Sequence, residues 1–334
     1  MKILYIPVSK KIKENNFKNH LRCFLFDIYV ILKNFAFNKK LTKNTSGYIE
    51  AAIYSNAKIF EVPYSFSIFF SKIFNLIFDG IFINWKFTNN RNDKNINQKL
   101  IKLSNKYQVK KVIVDSRDSG IIKIQDEVLD KFDYVIKREK NTIITNKKYI
   151  TTMLPCTLIN HKISNKRELI NWDKIGKTKP NQSTKYDVFF SGKGTSKGRI
   201  ELIQFLQNRN FNFMGGLESS IMPYEKYLEN IYDSSINLAI EGKGEFTFRH
   251  LEILASCSFM ICDNSINQID LPLPLLDGKH YVSFENKDDL IDKIEFFLKN
   301  EKLRFDIALN GRKVLENYYS PKEHGEYILK KIFN

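Results

Sequence analysis

Four charged side chains, Lys243, Glu245, Arg249 and Glu252, fall within ten consecutive positions. Two cations so close together can neutralise phosphate oxygens, and two carboxylates can accept hydrogen bonds from hydroxyl groups. The set suits a phosphorylated, polyhydroxylated ligand. Thr247 stands where a helix N-cap belongs, and the free N–H groups of the turn behind it form an anion site. A second cluster, Ser191 to Arg199, carries Gly192, Gly194 and Gly198 with Lys193, Lys197 and Arg199, directly after an apolar run. Glycine lets backbone N–H groups approach an anion closely, so this loop can share a phosphate with Lys243 and Arg249. Neither G-x-x-x-x-G-K-[ST] nor G-x-G-x-x-G fits it, and a solvated basic turn is the alternative reading. A third set, Asp115 and Asp118 with Arg117 between them, follows the apolar Val112-Ile113-Val114. Such carboxylates can take up a proton, although Asp-Ser before a helix is also ordinary capping.

The surrounding pattern says how these residues are held. Ile236 to Ile240 is a short apolar run; the Gly-Lys-Gly-Glu loop follows; Phe248, Leu251, Ile253 and Leu254 have helical spacing; Phe259 to Cys262 is apolar again. Strand, polar loop, helix and strand make a buried parallel βαβ unit, whose first loop lies at the carboxyl edge of the sheet, where ligands of open α/β folds bind. Tyr186 to Phe190 and Phe211 to Met214 are further strands, separated by a helix from Arg199 to Gln207; a helix opens at Pro223, and His280 to Phe284 is a last strand. Asp288 to Leu298, Glu301 to Tyr318 and Pro321 to Ile332 read as terminal helices.

The first half alternates in the same way. Met1 to Val8, Ile81 to Trp85, Val112 to Val114, Phe132 to Arg138 and Ile143 to Ile150 are the strands. Helices are expected at Phe17 to Phe37, from Pro63 to Phe78 and at Gln98 to Tyr107, with an exposed loop at Asn89 to Asn97; Tyr48 to Ser55 fits a helix or a strand. From His161 to Lys185 the chain is charged and rich in Asn, Ser and Lys, as an interdomain connection would be. The expectation is α/β: an N-terminal Rossmann-like domain over 1–160, a linker over 161–185, a C-terminal Rossmann-like domain over 186–316 and a last helix over 317–334.

Phe248-Arg249-His250-Leu251-Glu252, followed by Ala255-Ser256-Cys257-Ser258-Phe259-Met260-Ile261-Cys262-Asp263, resembles the donor-binding core of GT-B glycosyltransferases, particularly the bacterial spore-maturation and exostosin-like branches. The shared order is Arg-x-x-Glu on a helix, a small-residue turn, a hydrophobic strand and an Asp. The likeness extends more weakly from Tyr186 to Tyr319. It departs in the turn, where Cys257-Ser258 replaces the usual Gly, and in the spacing of Glu245 and Glu252, seven rather than eight.

The resemblance implies two Rossmann-like domains facing across a cleft, with the last helix crossing back to the first. It implies a nucleotide-sugar donor held by Gly192, Lys193, Arg199, Lys243, Glu245, Arg249 and Glu252, with Glu252 on the ribose. A glycan or lipid-linked acceptor would sit in the first domain. Inverting transfer needs a base there, Asp118 first and Asp115 second, and positive charge on the departing diphosphate. No D-x-D motif stands in the strand-loop context of metal-dependent enzymes, so no metal and no cofactor is expected.

Composition sets the outer bounds. The 334 residues suffice for two domains, each with its own core. An excess of 53 basic over 37 acidic residues, net +16, favours polyanions or anionic lipid headgroups. The expected setting is cytoplasmic, in bacterial surface polysaccharide assembly (lipopolysaccharide or capsule), with peripheral contact on the inner membrane face. Nucleic acid is not an expected partner: no aromatic-interleaved basic stripe is present. Cys23, Cys156, Cys257 and Cys262 form no C-x-x-C pair and read as thiols in a reducing compartment; the five histidines lack a zinc spacing. Cys23 to Phe37 and Tyr64 to Trp85 are interrupted by charge and fall short of a spanning helix. The aromatic face from Phe66 to Phe78 is a packed core face, with an interfacial amphipathic helix as the other reading. Two rival functions stand beside the transferase: a non-catalytic sugar-nucleotide binder, and a nucleic-acid-binding protein explained by charge.

Overall fold

A computed structural model describes residues 1–7, 57–62, 64–85, 94–115, 119–121, 123–152, 179–218, 222–273, 275–318 and 321–334. The expected helix at Phe17 to Phe37, the segment Tyr48 to Ser55, Arg117, Asp118, Cys23, Cys156 and most of the expected linker lie outside them.

The first half runs β1 (Lys2–Pro7), β2 (Lys58–Glu61), α1 (Tyr64–Phe69), α2 (Ser71–Ile77), β3 (Gly80–Trp85), α3 (Lys94–Ser104), β4 (Lys110–Asp115), α4 (Asp126–Leu129), β5 (Tyr134–Lys137) and β6 (Tyr149–Thr151). Its six strands are all parallel, in the order β2-β1-β3-β4-β5-β6. The second half runs β7 (Tyr186–Ser191), α5 (Lys197–Gln207), β8 (Phe213–Gly216), α6 (Tyr224–Tyr232), β9 (Ser234–Ala239), α7 (Phe248–Ala255), β10 (Met260–Asp263), a 3₁₀ turn (Asn264–Gln268), β11 (Val282–Phe284), α8 (Lys287–Lys299), α9 (Glu301–Tyr318) and α10 (Pro321–Phe333). Its five strands are also parallel, ordered β11-β10-β9-β7-β8.

Strand parity explains the layers. Successive side chains leave a strand on opposite faces, so Ile3 and Tyr5 enter one apolar cluster while Leu4 and Ile6 enter another; Val112 and Val114 separate from Ile113 in the same way. Sheets covered on both faces need apolar runs rather than alternation, which is what Val112-Ile113-Val114 supplies. Each half has an apolar cluster of its own, as expected, and a third cluster is shared between them. That shared cluster joins Tyr5, Phe82 and Val114 of the first sheet to Leu251 and Leu254 on α7 and Met260 on β10, together with Ile328, Leu329 and Ile332 on α10. Phe333, at the end of α10, stacks on Phe82 with centroids 6.4 Å apart.

Three expectations shift locally, and one strand is additional. The segment Ile143 to Lys148 is turns, with strand only from Tyr149, because the Asn141 and Asn146 side chains accept the N–H groups of Ile143 (3.0 Å) and Lys148 (2.9 Å). The helix after Pro63 divides at Phe70, where Ser67 Oγ donates back to the Tyr64 carbonyl at 2.6 Å. Part of the expected loop before Asn97 is already helical from Lys94. Strand β2 at Lys58–Glu61 was unmarked in the sequence, being short and at the sheet edge.

Candidate active site

In the second sheet the chain goes from β7 to β8 on one side and then to β9 on the other. The strand order therefore reverses between β7 and β9, and the carboxyl ends of those strands form the crevice in which open α/β sheets bind ligands. Ser191 and Gly192 end one side of it; Ile240, Glu241 and Gly242 end the other.

Two arginines converge there. Arg199, in the first turn of α5, is 6% exposed and donates to the carbonyls of Lys193 (3.0 Å) and Ile240 (2.5 Å), so it ties together the loops after β7 and β9. Arg249, in the first turn of α7, donates to the Ser191 carbonyl. Both guanidinium groups lie against the buried Phe190 ring, at 4.4 Å for Arg249 and 5.7 Å for Arg199. Neither forms an ion pair among the described residues, and the Nε of each is buried without a hydrogen-bond partner. Burial and the charge of Arg249 push Arg199 down to about 10, with Asp263 and Glu241 partly opposing. Two like charges held together, only partly offset by the carboxylates of Asp263, Glu241 and Glu252, leave positive potential that an anion would relieve. Gly192 permits the approach: a Cβ there would meet Arg249 Nη2 at 2.6 Å. Lys193 and Lys243 are exposed on the two loops bordering the crevice.

Helix α7 is fixed at its start by a local device. Thr247 is the N-cap, and its backbone N–H donates to His250 Nδ1 at 3.0 Å. The ring proton therefore sits on Nε2, which is buried and unpartnered, and the ring stacks on Phe246 at 4.6 Å. Burial holds His250 neutral, its pKa lowered to about 3. One turn on, Glu252 is 5% exposed and accepts the Tyr224 hydroxyl at 3.1 Å and the Tyr227 hydroxyl at 2.9 Å. Burial raises its pKa, while Tyr227, Arg249 and Tyr224 oppose the rise. The tyrosines were missed in the sequence. Their spacing of three after Pro223 puts both rings on one side of α6, but nothing local says that this side meets Glu252.

The first domain meets this crevice across a seam. Glu245 Oε2 accepts the Gly120 N–H at 2.8 Å. Glu139 Oε2 accepts the Phe246 N–H at 2.7 Å, Arg138 donates to the Phe246 carbonyl at 3.2 Å, and Lys140 pairs with Asp270. Arg138 and Glu139, just past the end of β5, gave no functional signal in the sequence. Asp115, at the end of β4, is fully buried and paired with the equally buried Lys137 at 3.4 Å. Asp118 falls outside the described residues. Acidic groups also gather at the second sheet's edge, where Asp263 accepts the Glu241 N–H at 2.5 Å and binds Ser265. Among the described residues no group of three or more His, Cys, Asp or Glu is placed to hold a metal ion.

The match to known proteins falls on this half. Residues 199–330 match the family described as "Glycosyl transferase-like". The chain has the two-domain GT-B fold. Among solved structures it is similar to an alpha-glucosyltransferase in complex with UDP, with a TM-score of 0.53 at 10% identity over 99% of this chain and 98% of that one, which shows the shared fold. It is also similar to a DNA-modifying beta-glucosyltransferase (TM-score 0.48, 14% identity, 100% of both chains) and to HepE of Anabaena in complex with UDP-glucose (TM-score 0.45, 11% identity, 99% and 98%). No curated protein matches the chain by sequence. In this glycosyltransferase architecture Arg199 and Arg249 occupy the strand-order reversal of the second domain, and Gly120 and Glu245 close the seam to the first.

Proposed function

We propose that the chain transfers a sugar from a UDP-sugar to a glycan or lipid-linked acceptor, without a metal, in bacterial surface polysaccharide assembly. The observation that carries the reading is the arginine pair: two guanidinium groups on one aromatic ring at the strand-order reversal, with no ion pair to either among the described residues. A diphosphate supplies the missing charge. UDP as the nucleotude is supported by the structural neighbour that holds it. The spore-maturation and exostosin-like branch is supported by Cys257, whose backbone is left-handed (φ 52°) at the turn where that pattern carries Gly.

In the transfer the bond between the anomeric carbon and the β-phosphate oxygen breaks, its electron pair leaving with UDP. Arg199 and Arg249 stabilise that charge in a site screened from water. An acceptor hydroxyl oxygen forms the new bond to the anomeric carbon, and its proton passes to a carboxylate. Asp118 is the base in this reading, on the loop whose Gly120 meets Glu245; Asp115, buried and bound to Lys137, anchors the start of that loop. Lys193 and Lys243 recruit the anionic donor at the mouth of the crevice. Glu252 and its two tyrosines take the ribose hydroxyls.

Calorimetric titration with UDP, GDP and CMP, followed by turnover of the matching sugar donors with glycan, lipid-linked and DNA acceptors, tests the proposal. UDP binding with transfer to glycan or lipid-linked acceptor is the expected result. Absence of nucleotide binding overturns it, binding without turnover on any acceptor makes the chain a sugar-nucleotide binder, and transfer to DNA replaces the acceptor class.

A further inference from the structure

Helices α1 and α2 cover the first sheet with one face and present the other to solvent. Inward, Phe66, Ile68 and Phe74 pack on the apolar cluster, Ser67 and Ser71 are buried, and the Tyr107 hydroxyl donates to the Ser67 carbonyl at 2.7 Å. Phe66, Phe70, Phe74 and Phe78 form a ladder with ring centroids 5.7, 6.0 and 5.5 Å apart, which stiffens the pair. Outward stand Phe69 at 81% exposure, Ile73 at 52%, Leu76 at 88% and Ile77 at 45%. Ile73, Leu76 and Ile77 share one side of α2 by their spacing, and Phe69, the last residue of α1, is exposed just before them. Of the eleven large apolar side chains that are exposed among the described residues, these four fall within nine positions. Scattered exposed apolar residues need no explanation, but a contiguous cluster on a rigid support does.

The border of the cluster is cationic. Lys72 lies on α2 itself. The Lys106 carbonyl accepts from Asn75 Nδ2 at 2.9 Å, and the Lys99 carbonyl accepts from the Tyr64 hydroxyl at 3.1 Å, which brings the end of α3, with Lys99, Lys102 and Lys106, alongside. Lys72, Lys102 and Lys106 are exposed and form no ion pair among the described residues. The nearby acid, Asp79, accepts the backbone N–H of Lys2 at 2.7 Å.

We propose that this face docks on an anionic lipid bilayer, with Phe69, Ile73, Leu76 and Ile77 entering the headgroup boundary and the lysines meeting phosphate headgroups. An apolar stripe bordered by lysine is the composition of a helix that lies in the interface. A second copy of the chain fits less well, because a two-fold contact would set the same lysines against themselves on a chain of net charge +16. Nucleic acid would engage the lysines and leave Phe69 and Leu76 in water. Among the described residues no helix is long and apolar enough to cross a membrane, so the docking is lateral. The inference stands apart from the enzymatic reading, since none of these residues borders the crevice.

Co-sedimentation of the full chain with phosphatidylcholine vesicles, with and without phosphatidylglycerol, is the test. The wild type should bind the anionic vesicles, less so in high salt, and the neutral ones weakly. Phe69→Ser/Leu76→Ser and, separately, Lys72→Glu/Lys106→Glu should each lower binding by roughly tenfold or more with melting temperature and UDP affinity unchanged. Equal sedimentation of wild type and both variants overturns the proposal. So does a wild type that is dimeric without vesicles and becomes monomeric in the serine variant, which would assign the face to a second copy.

Discussion

Glu245 accepts the backbone N–H of Gly120 at 2.8 Å, across 125 residues of sequence, and this bond brings a loop of the second domain against the loop that follows β4. Gly120 has no room to change: a Cβ there would lie 3.0 Å from both the Asn141 nitrogen and Ile269 Cδ1. Gly120→Ala should therefore spread the seam, destabilise the protein by about 1–3 kcal/mol, and lower kcat while UDP affinity in the separate crevice is kept. Chemical denaturation together with a kcat and Kd comparison checks it; unchanged kcat would remove the seam from catalysis.

The two arginines should separate by their second roles. Arg249→Ala is expected to weaken UDP binding by about 10- to 100-fold, the equivalent of a charge-assisted hydrogen bond worth ~1.5–3 kcal/mol, with a smaller fall in melting temperature than Arg199→Ala, because Arg249 holds one carbonyl, that of Ser191, rather than two. Arg199→Ala should weaken UDP comparably and also destabilise the free protein, because Arg199 holds the Lys193 and Ile240 carbonyls. Calorimetry gives the first quantity and thermal melting the second.

Asp115 and Lys137 form a buried pair, and removing one partner takes an opposite charge from the side of a fully buried one. Lys137→Met should cost about 3–5 kcal/mol. Asp118→Asn, by contrast, should abolish turnover without a stability change. If Asp118→Asn retains activity, another carboxylate is the base.

Burial raises the carboxyl pKa values of Glu139, Glu252 and Asp263. For a group whose folded pKa is raised, the stabilising contribution is complete below its unfolded pKa and is lost as pH rises through the folded one. His250 has the opposite sense. Its contribution is present above its ordinary 6.5 and is lost as pH falls toward about 3, at up to ~1.4 kcal/mol per pH unit. Glu252→Gln should flatten the loss on the neutral side, and His250→Gln the loss on the acid side. Denaturant midpoints across pH for the three proteins read this directly.

Cys257 ends α7 in a left-handed conformation, with Ser258 N–H donating to the Ile253 carbonyl at 3.2 Å and Cys257 N–H to the Leu254 carbonyl at 3.1 Å. That is a Schellman ending, usually given to glycine. Cys257→Gly removes about 1 kcal/mol of backbone strain and a buried side chain of similar worth, so it should be near neutral. Cys257→Val should destabilise by roughly 2 kcal/mol or more, since a β-branched residue fits that conformation poorly. Thermal melting distinguishes them.

Much of the fold was legible locally. The apolar runs Val112-Ile113-Val114 and Val188-Phe189-Phe190, with helical spacing between such runs, specify two parallel sheets because burial on both faces admits no alternation. The meeting of Arg199 and Arg249 at the end of β7 was also legible, since both were expected beside one shared ligand. Asn141 and Asn146 misled, because an apolar stretch around them reads as strand until their side chains are seen closing turns. The acid Glu252 was visible, but not that Tyr224 and Tyr227 would hold it.

By itself the sequence determined element type, the order of strands and helices along the chain, and the stock of cations near β7 and β9, since each depends on residues only a few positions apart. The tertiary structure decided which partners meet: Glu245 with Gly120, Glu252 with Tyr224 and Tyr227, Phe333 with Phe82. Local periodicity fixes which face of an element is buried, but the neighbour across that face depends on strand order and helix crossing. Those are settled by the packing of the whole chain.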